Sequence, residues 1–399
     1  MSVVKRAYKI RIYPNSTQRT QLAKTFGCTR FLYNAMRRER IDFYETHKED
    51  KETFRSHKYK TEKEYKKEFE WMKEVDSIAL QASRENLQQA FRNFFHSISG
   101  KRRGRAMGYP KPKFRKSEQS YTTKLVGTNI QVDFQRKKIK LPKIGWLPYR
   151  DNREFEGEIK RVTVRQTTTG KYFASILVEE EMDIQPVMVD ETKAKITGLD
   201  MSMDKFFVDE MGESPEFNRW YRSLEKKLAR EQRRLSRKKK GSNNRDKQRK
   251  RVAAVHEKIR NLRQDFVHKL SKQLVDNKDV IVVENLSLSG MSRALKLGKS
   301  VHDLGYSEFV RQLQYKSKWY GAILIEADKW FASSKTCSKC GYVHKQLQLT
   351  DRTWVCSNCG TEHNRDQNAG QNLVEYGRKF LGMGSPEATL AESSPLGSH

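Results

Sequence analysis

The chain has 399 residues, with 80 Lys and Arg against 49 Asp and Glu, and a net charge of +31 at pH 7. This length suggests about two to four domains, and the 10% aromatic content argues against a disordered chain. So large a positive charge points to a polyanion partner, because each neutralised phosphate releases counterions, while no run of about 18 apolar residues exists to cross a membrane.

The N-terminus, "MSVVKRAYKIRIYPN", alternates. Tyr8, Ile10 and Ile12 fall on one face and Lys9, Arg11 and Tyr13 on the other, which predicts a half-buried strand ending at Pro14. It lacks the apolar core of a signal peptide, so a cytoplasmic location is expected. A helix is predicted from Ser16 to His47, within which Cys28 reads as a small buried residue. The Lys- and Glu-dense stretch 50–70 reads as exposed helix or loop. From Asp76 the pattern is helical, with Leu80, Leu87, Phe91 and Phe94 on one face and Gln81, Arg84 and Gln88 on another. "SGKRRGRAMGYPKPKFRKSEQSY" follows. Gly and Pro punctuate it and its middle is mostly basic, as suits a phosphate-contacting loop.

Residues 120–180 are strand-like, with "TTTGK" as a turn, and predict a small β-barrel or sheet joined by the N-terminal strand. Residues 183–194 read as a linker. "KITGLDMSMDKFFVDEMG" predicts a hairpin. Between Arg219 and Arg251 there are 16 Lys and Arg against 3 Asp and Glu. Trp220, Leu224, Leu228 and Leu235 give this region an apolar stripe, and "KKKGSNNR" breaks it. A second helix carries Val252, Val255, Ile259, Leu262, Phe266, Leu270 and Leu274, so the two predict an antiparallel helical hairpin with a basic outer face. "DVIVVENLSL" (279–288) has the continuous apolar run of a strand buried on both faces. A helix over 307–319, a strand at "AILIEA" and a final helix from Asp366 complete the order, and the Gly-, Ser- and Pro-rich tail is expected to be disordered.

Four of the five cysteines form two CxxC pairs. Cys337 and Cys340 are separated from Cys356 and Cys359 by the spacing of a tetrahedral four-cysteine zinc ribbon, and Gly341 and Gly360 suit its tight knuckle turns. A site closed by four thiolates is structural. Three acids stand out by position. Asp200 ends an apolar strand, Glu284 ends the buried strand, and Asp366 opens a helix. Carboxylates that converge repel one another unless they share divalent cations, and oxygen ligands suit Mg²⁺ or Mn²⁺. A two-metal site of this kind hydrolyses phosphodiesters.

The order of strand hairpin with Asp, helical insertion, strand with Glu and Asp on a helix resembles a RuvC-like, RNase H-fold nuclease. With the ribbon between the second and third acids and "HNRDQNAGQNL" after it, the chain resembles the TnpB family of transposon-encoded proteins, similar to the nucleases ancestral to type V CRISPR effectors. "YKIRIYPNSTQ", "GCTRFLYN", "LQQAFRNFF", "GYPKPKF", "RRLSRKKKGSNNRDKQR", "DFVHKLS" and "VVENLSLSGM" look like family blocks in family order.

The resemblance implies a multidomain α+β protein. A wedge-like β-barrel would take residues 1–15 and 116–185, a helical recognition domain 16–115, an RNase H-like (RuvC) α/β nuclease domain 195–332 and 362–380, the inserted zinc ribbon 333–361 and the tail 381–399. It implies an RNA-guided DNA endonuclease that binds guide RNA from the transposon end and cuts double-stranded target DNA beside a short adjacent motif. It would act as a monomer on one RNA, cytoplasmic and nucleoid-associated in a prokaryote. Asp200, Glu284 and Asp366 would be catalytic and hold Mg²⁺ or Mn²⁺, with Arg365 in support. Cys337, Cys340, Cys356 and Cys359 would hold structural Zn²⁺.

Gln81, Arg84 and Gln88 are candidates for reading the adjacent motif. Tyr121 and the N-terminal strand are candidates for stacking or phosphate contact. His363 is expected to pack near the zinc and Asp204 to serve a turn. Where the family often has Gly, two residues after the first acid, this chain has Ser202, which puts the turn there in question. The alternatives are a nuclease-inactive RNA-guided repressor and a zinc-ribbon RNA binder. A strand-joining transposase would need a His-x-His pair, and the sequence has none.

Overall fold

The alternation at the N-terminus folds as β1 (Ser2–Ile12), with Tyr8, Ile10 and Ile12 buried and Lys9 and Arg11 exposed. The computed structural model describes residues 2–102, 104, 106–184, 190, 193–202, 204–285, 305–348 and 350–382, except the side chains at 51, 54 and 55. The chain divides into two units, Met1–Met182 and Asp183–His399. Most of the expected linker at 183–194, the end of the apolar run at 279–288 and all of the expected tail beyond residue 382 lie outside the described residues, while 381 and 382 belong to the final helix.

In the first unit β1 is followed by β2 (Gln119–Lys124), β3 (Gln131–Asp133), β4 (Lys138–Leu141), β5 (Gly145–Arg150), β6 (Glu158–Gln166) and β7 (Tyr172–Met182). They form a seven-stranded sheet of order β2-β6-β7-β1-β5-β4-β3 in which every pair is antiparallel. Its core gathers Ile10, Ile12, Ile139, Leu147, Val162, Val164, Ile176 and Val178. The helix α1 (Ser16–His47) starts where Pro14 ends the strand. Asn15 caps it, accepting from the Gln18 N–H at 2.8 Å while Gln18 reaches back to the Asn15 N–H at 3.1 Å.

The 50–70 stretch forms α2 (Lys51–Ser56) and α3 (Glu62–Glu68). Asp76 caps α4 (Ser77–Ile98) and also accepts from the Thr123 hydroxyl at 2.6 Å, which ties the helix to β2. α1 and α4 share a core of Leu32, Met36, Leu80, Leu87 and Phe91.

In the second unit, β8 (Ile196–Ser202) and β9 (Phe206–Val208) make the expected hairpin. α5 (Trp220–Ser236) and α6 (Asn243–Asn277) pack through Leu228, Val255 and Ile259. Leu262 departs from expectation. It lies at the edge of the helical stripe and is 37% exposed. Then come β10 (Val280–Glu284), α7 (Tyr306–Tyr320), β11 (Ile323–Ala327), β12 (Thr353–Val355), β13 (Glu362–Asn364) and α8 (Arg365–Gly382).

The central sheet has the order β11-β10-β8-β9, with β11, β10 and β8 mutually parallel. β10 alternates between two cores, so both of its faces are covered. Ile281 and Val283 join Val267, Leu270, Phe309 and Leu313 of α6 and α7. Val280 and Val282 join Leu373 and Val374 of α8. α8 lies so close to β8 that a Cβ on Gly198 would stand 2.2 Å from the Gly370 carbonyl oxygen. Any larger residue at Gly198 would push away the helix that carries Asp366.

Candidate nuclease and zinc sites

Asp200 lies near the end of β8 and Glu284 ends β10. The strands are parallel and in register, with Leu199 beside Val283, so the two acids occupy the next adjacent positions. This is the carboxyl end of a parallel sheet, where open α/β folds place ligands. Burial, then the charges of Glu284 and Asp366, push the Asp200 carboxyl up to about 9. Burial also raises Glu284, against the hydrogen bonds it receives from Ser333 and Asp200. Burial and mutual repulsion both disfavour two charges on carboxyls this close, so each is pushed toward its protonated form. A divalent cation could offset that repulsion, and the oxygen donors of Asp200 and Glu284 suit a hard metal, while the Asp366 carboxylate is turned to Arg352 and lies outside a close three-acid grouping.

Asp366 enters from the first turn of α8. The Asn364 side chain caps that turn, accepting from the N–H groups of Asp366 at 3.1 Å and Gln367 at 3.2 Å. Asp366 pairs with Arg352 at 3.5 Å, and its charge is felt at both other acids. The Arg365 guanidinium lowers both Asp200 and Glu284 and donates to the Gln348 carbonyl at 3.2 Å. Asp204 pairs with Arg219 and stays a turn residue. Ser202 pairs with Phe206 across the hairpin and is not among the residues of positive φ, so a side chain there is accommodated without backbone strain.

The four cysteine sulfurs lie within 4.8 Å of one another. Cys337 and Cys359 are 3.7 Å apart, as are Cys340 and Cys356. A tetrahedron of Zn–S bonds of about 2.3 Å has sulfurs about 3.8 Å apart, so the cluster is dimensioned for zinc. Gly341 (φ 77) and Gly360 (φ 71) take the left-handed conformation at the knuckles and donate back to the Cys337 and Cys356 carbonyls, each at 2.8 Å. The Thr361 hydroxyl and N–H hold Cys359 down at about 6, Asn358 lowers Cys340, and burial pushes Cys337 up to about 12. His363 lies 3.0 Å from the Cys337 sulfur and packs against Trp354 with the rings tilted, beside the cluster as expected.

Sequence reasoning missed several groups that join these two sites. Ser333 is buried and donates to Glu284 at 2.5 Å. Asn372 donates to the Ser333 carbonyl at 2.7 Å, and Asn368 to that of Thr336 at 2.8 Å. The spacing of Asn368 and Asn372, one helical turn apart, was their only signal. Tyr306 donates to the carbonyls of Ser202 and Phe206 on the hairpin that carries Asp200. In the first unit, Arg84 is held by Glu62 at 2.7 Å, Gln81 is half-buried and Gln88 is exposed, and the Tyr121 hydroxyl is buried.

Three family profiles match the chain. "Helix-turn-helix domain" covers residues 1–49, "Probable transposase" 175–295 and "Cas12f1-like, TNB domain" 306–373. The first matches residues that fold here as β1 and the single helix α1. A Streptomyces pristinaespiralis protein named for RNA-guided DNA endonuclease activity is 35% identical, over 100% of this chain and 95% of that one. InsQ of Escherichia coli K12, named for the same activity, is 30% identical over 95% of this chain and 94% of its own. The TnpB-like protein L79 of Acanthamoeba polyphaga mimivirus is 29% identical over 31% of this chain and 24% of its own. The chain belongs to the TnpB family. In these family terms, the TNB match (306–373) spans α7, β11, the cysteine cluster and the start of α8, and so includes Tyr306, Ser333, the cysteines and Asp366.

Proposed function

We propose that this TnpB-family chain is an RNA-guided DNA endonuclease of a transposable element. The observation that carries the reading is the adjacency of Asp200 and Glu284 at the carboxyl end of the parallel sheet, with the charge of Asp366 acting on both. The activity named for its relatives supports it. The second unit acts as an RNase H-like (RuvC) nuclease domain over 195–332 and 362–380, with the zinc ribbon at 333–361. The antiparallel sheet acts as the wedge over 1–15 and 116–185, and 16–115 as the recognition region.

Asp200, Glu284 and Asp366 would hold Mg²⁺ or Mn²⁺, which supplies an activated water and stabilises the leaving oxygen of the phosphodiester. The chain's own residues set the frame for that chemistry. The parallel register fixes Asp200 beside Glu284, Ser333 orients Glu284, and the Asn364 cap fixes Asp366. Arg365 contributes positive charge where the phosphate arrives. Zinc on the four cysteines is structural.

A guide RNA from the transposon end occupies the basic surface. Base pairing reads double-stranded target DNA, while the protein reads a short adjacent motif, with Gln81 and Gln88 better placed for it than the ion-paired Arg84. The protein works as a monomer on one RNA, cytoplasmic and associated with the nucleoid. Strand joining by a tyrosine with a His-x-His pair has no counterpart in the sequence.

The test is purification from cells that carry the flanking DNA, sequencing of copurifying RNA, and Mg²⁺-dependent cleavage with that RNA as guide. A discrete RNA from the edge of the element and cleavage lost in Asp200→Ala are expected. Only random RNA would overturn guidance, and undiminished cleavage by Asp200→Ala would overturn the site.

A further inference from the structure

Trp330 is 82% exposed, the most exposed large hydrophobic side chain among the described residues. A ring so exposed adds almost nothing to a core, yet its backbone is firmly held. The Trp330 N–H donates to the Asp328 side chain at 2.8 Å, and the Phe331 N–H to the Asp328 carbonyl at 3.0 Å. The Tyr376 hydroxyl accepts from the Asp328 N–H at 3.3 Å, and the Phe331 and Tyr376 rings pack 4.8 Å apart. Two residues beyond Phe331, Ser333 binds Glu284 and is itself bound by Asn372. The turn is therefore fastened to α8, which carries Asp366, and to one of the acids. The rigid frame that positions the carboxylates also presents a bare indole.

Three residues of chain span at most about 10 Å from Trp330 to Ser333, a length of about one to three nucleotides. Beside the indole, the Lys329 ammonium lies 4.8 Å from the ring centroid. An aromatic face next to a cation is the pairing that single-strand binders use, with the ring stacking a base and the cation meeting the phosphate. We infer that Trp330, with Lys329, is a stacking platform for an unpaired base of the DNA strand entering the carboxylate site. Trp330 is thus a positioning residue. It holds the strand in register, and the acids do the chemistry.

This inference rests on the nuclease reading, and the test separates the two. Full-length wild type, Trp330→Ala and Trp330→Phe, each with guide RNA, are compared in two assays. Binding of fluorescent oligothymidylate and of oligouridylate is measured in EDTA, and cleavage of a pre-opened duplex is measured in Mg²⁺. Trp330→Ala is expected to weaken binding and slow cleavage about 5- to 100-fold with an unchanged melting temperature, while Trp330→Phe retains most of both. An abasic nucleotide walked along the cut strand should slow wild type at one position and leave Trp330→Ala indifferent there.

Wild-type behaviour of Trp330→Ala in both assays, with cleavage still dependent on Asp200, overturns the platform and leaves the nuclease standing. A binding loss in a protein whose wild type never cleaves leaves the platform and removes the nuclease. A loss confined to RNA oligonucleotides, or a matching fall in melting temperature, overturns the assignment to the cut strand.

Discussion

The Ser333 hydroxyl donates to Glu284 at 2.5 Å, so the segment leading into the cysteine cluster directly holds one acid of the carboxylate group. A cysteine cluster and an acidic group that look separate in sequence are thereby joined. Hydrogen bonds to charged groups contribute about 1.5–3 kcal/mol. Ser333→Ala is expected to slow cleavage about tenfold or more and to raise the Mg²⁺ concentration needed for half-maximal rate. Unchanged Mg²⁺ dependence would show that Glu284 is oriented without it.

Metal removal gives a second prediction. The carboxylates of Asp200, Glu284 and Asp366 repel one another and are costly to bury without a cation. Asp200→Asn removes one of them and keeps the shape. In EDTA at pH 8 it is expected to raise the melting temperature, by a stabilisation on the order of 2 kcal/mol, and to abolish cleavage. Mg²⁺ should stabilise wild type and not the variant. A variant that melts below wild type in EDTA would mean that the acids do not strain the fold.

Much of this site was legible in the sequence, for physical reasons. The apolar run of "VIVVE" has to be buried on both faces, so Glu284 at its end has to emerge at a sheet edge. The knuckle glycines declare the cysteine turns because left-handed backbone there strongly favours glycine. Ser333, Arg352 and Tyr306 were not legible. Each acts through a contact between segments distant in the chain, and a serine among "ASSK" has no local pattern to mark it. Arg84 shows the converse. Its helical position was read correctly, but its partner Glu62 lies 22 residues away on another element.

Tyr306 tests the coupling between α7 and the hairpin. Its hydroxyl is shared by two carbonyls, one belonging to Phe206, whose φ is 76. A non-glycine residue at that angle is strained and persists only if its surroundings hold it. Tyr306→Phe is expected to cost about 1–2 kcal/mol in urea unfolding and to slow cleavage by loosening Asp200, with guide-RNA binding unchanged. Cleavage at the wild-type rate would show that the aromatic cluster around Phe206 suffices.

Zinc should act at a distance through the two amides of α8. Cys356→Ser is expected to lower the melting temperature and the zinc content, and to reduce cleavage further than guide binding. Asn372→Leu, which keeps the cysteines, should retain zinc yet share the cleavage loss, because it leaves the Ser333 carbonyl without its side-chain donor and the Thr336 carbonyl with Asn368 alone. If Asn372→Leu cleaves normally, the cysteine cluster influences the acids by some other route.

Lys316 offers a pH test remote from both sites. It is 6% exposed in the core between α6 and α7, where its ammonium donates to the His268 carbonyl at 2.6 Å and the Ser271 hydroxyl at 2.8 Å. Burial, reinforced by Lys272 and opposed by Asp276 and Glu308, lowers it to about 8. Below that value both the folded and unfolded chains carry the proton, and folding bears the full cost of burying the charge. As pH rises toward 10.5, the ordinary value for lysine, the folded form sheds its proton first, so this group's contribution to stability improves. Lys316→Met should therefore be more stable than wild type near pH 7, by on the order of 1–2 kcal/mol after allowing for the two lost hydrogen bonds. Its advantage should shrink between pH 8 and 10.5. Urea unfolding at pH 7 and pH 9.5 measures both, and a difference independent of pH would mean that the ammonium is better solvated than its burial indicates.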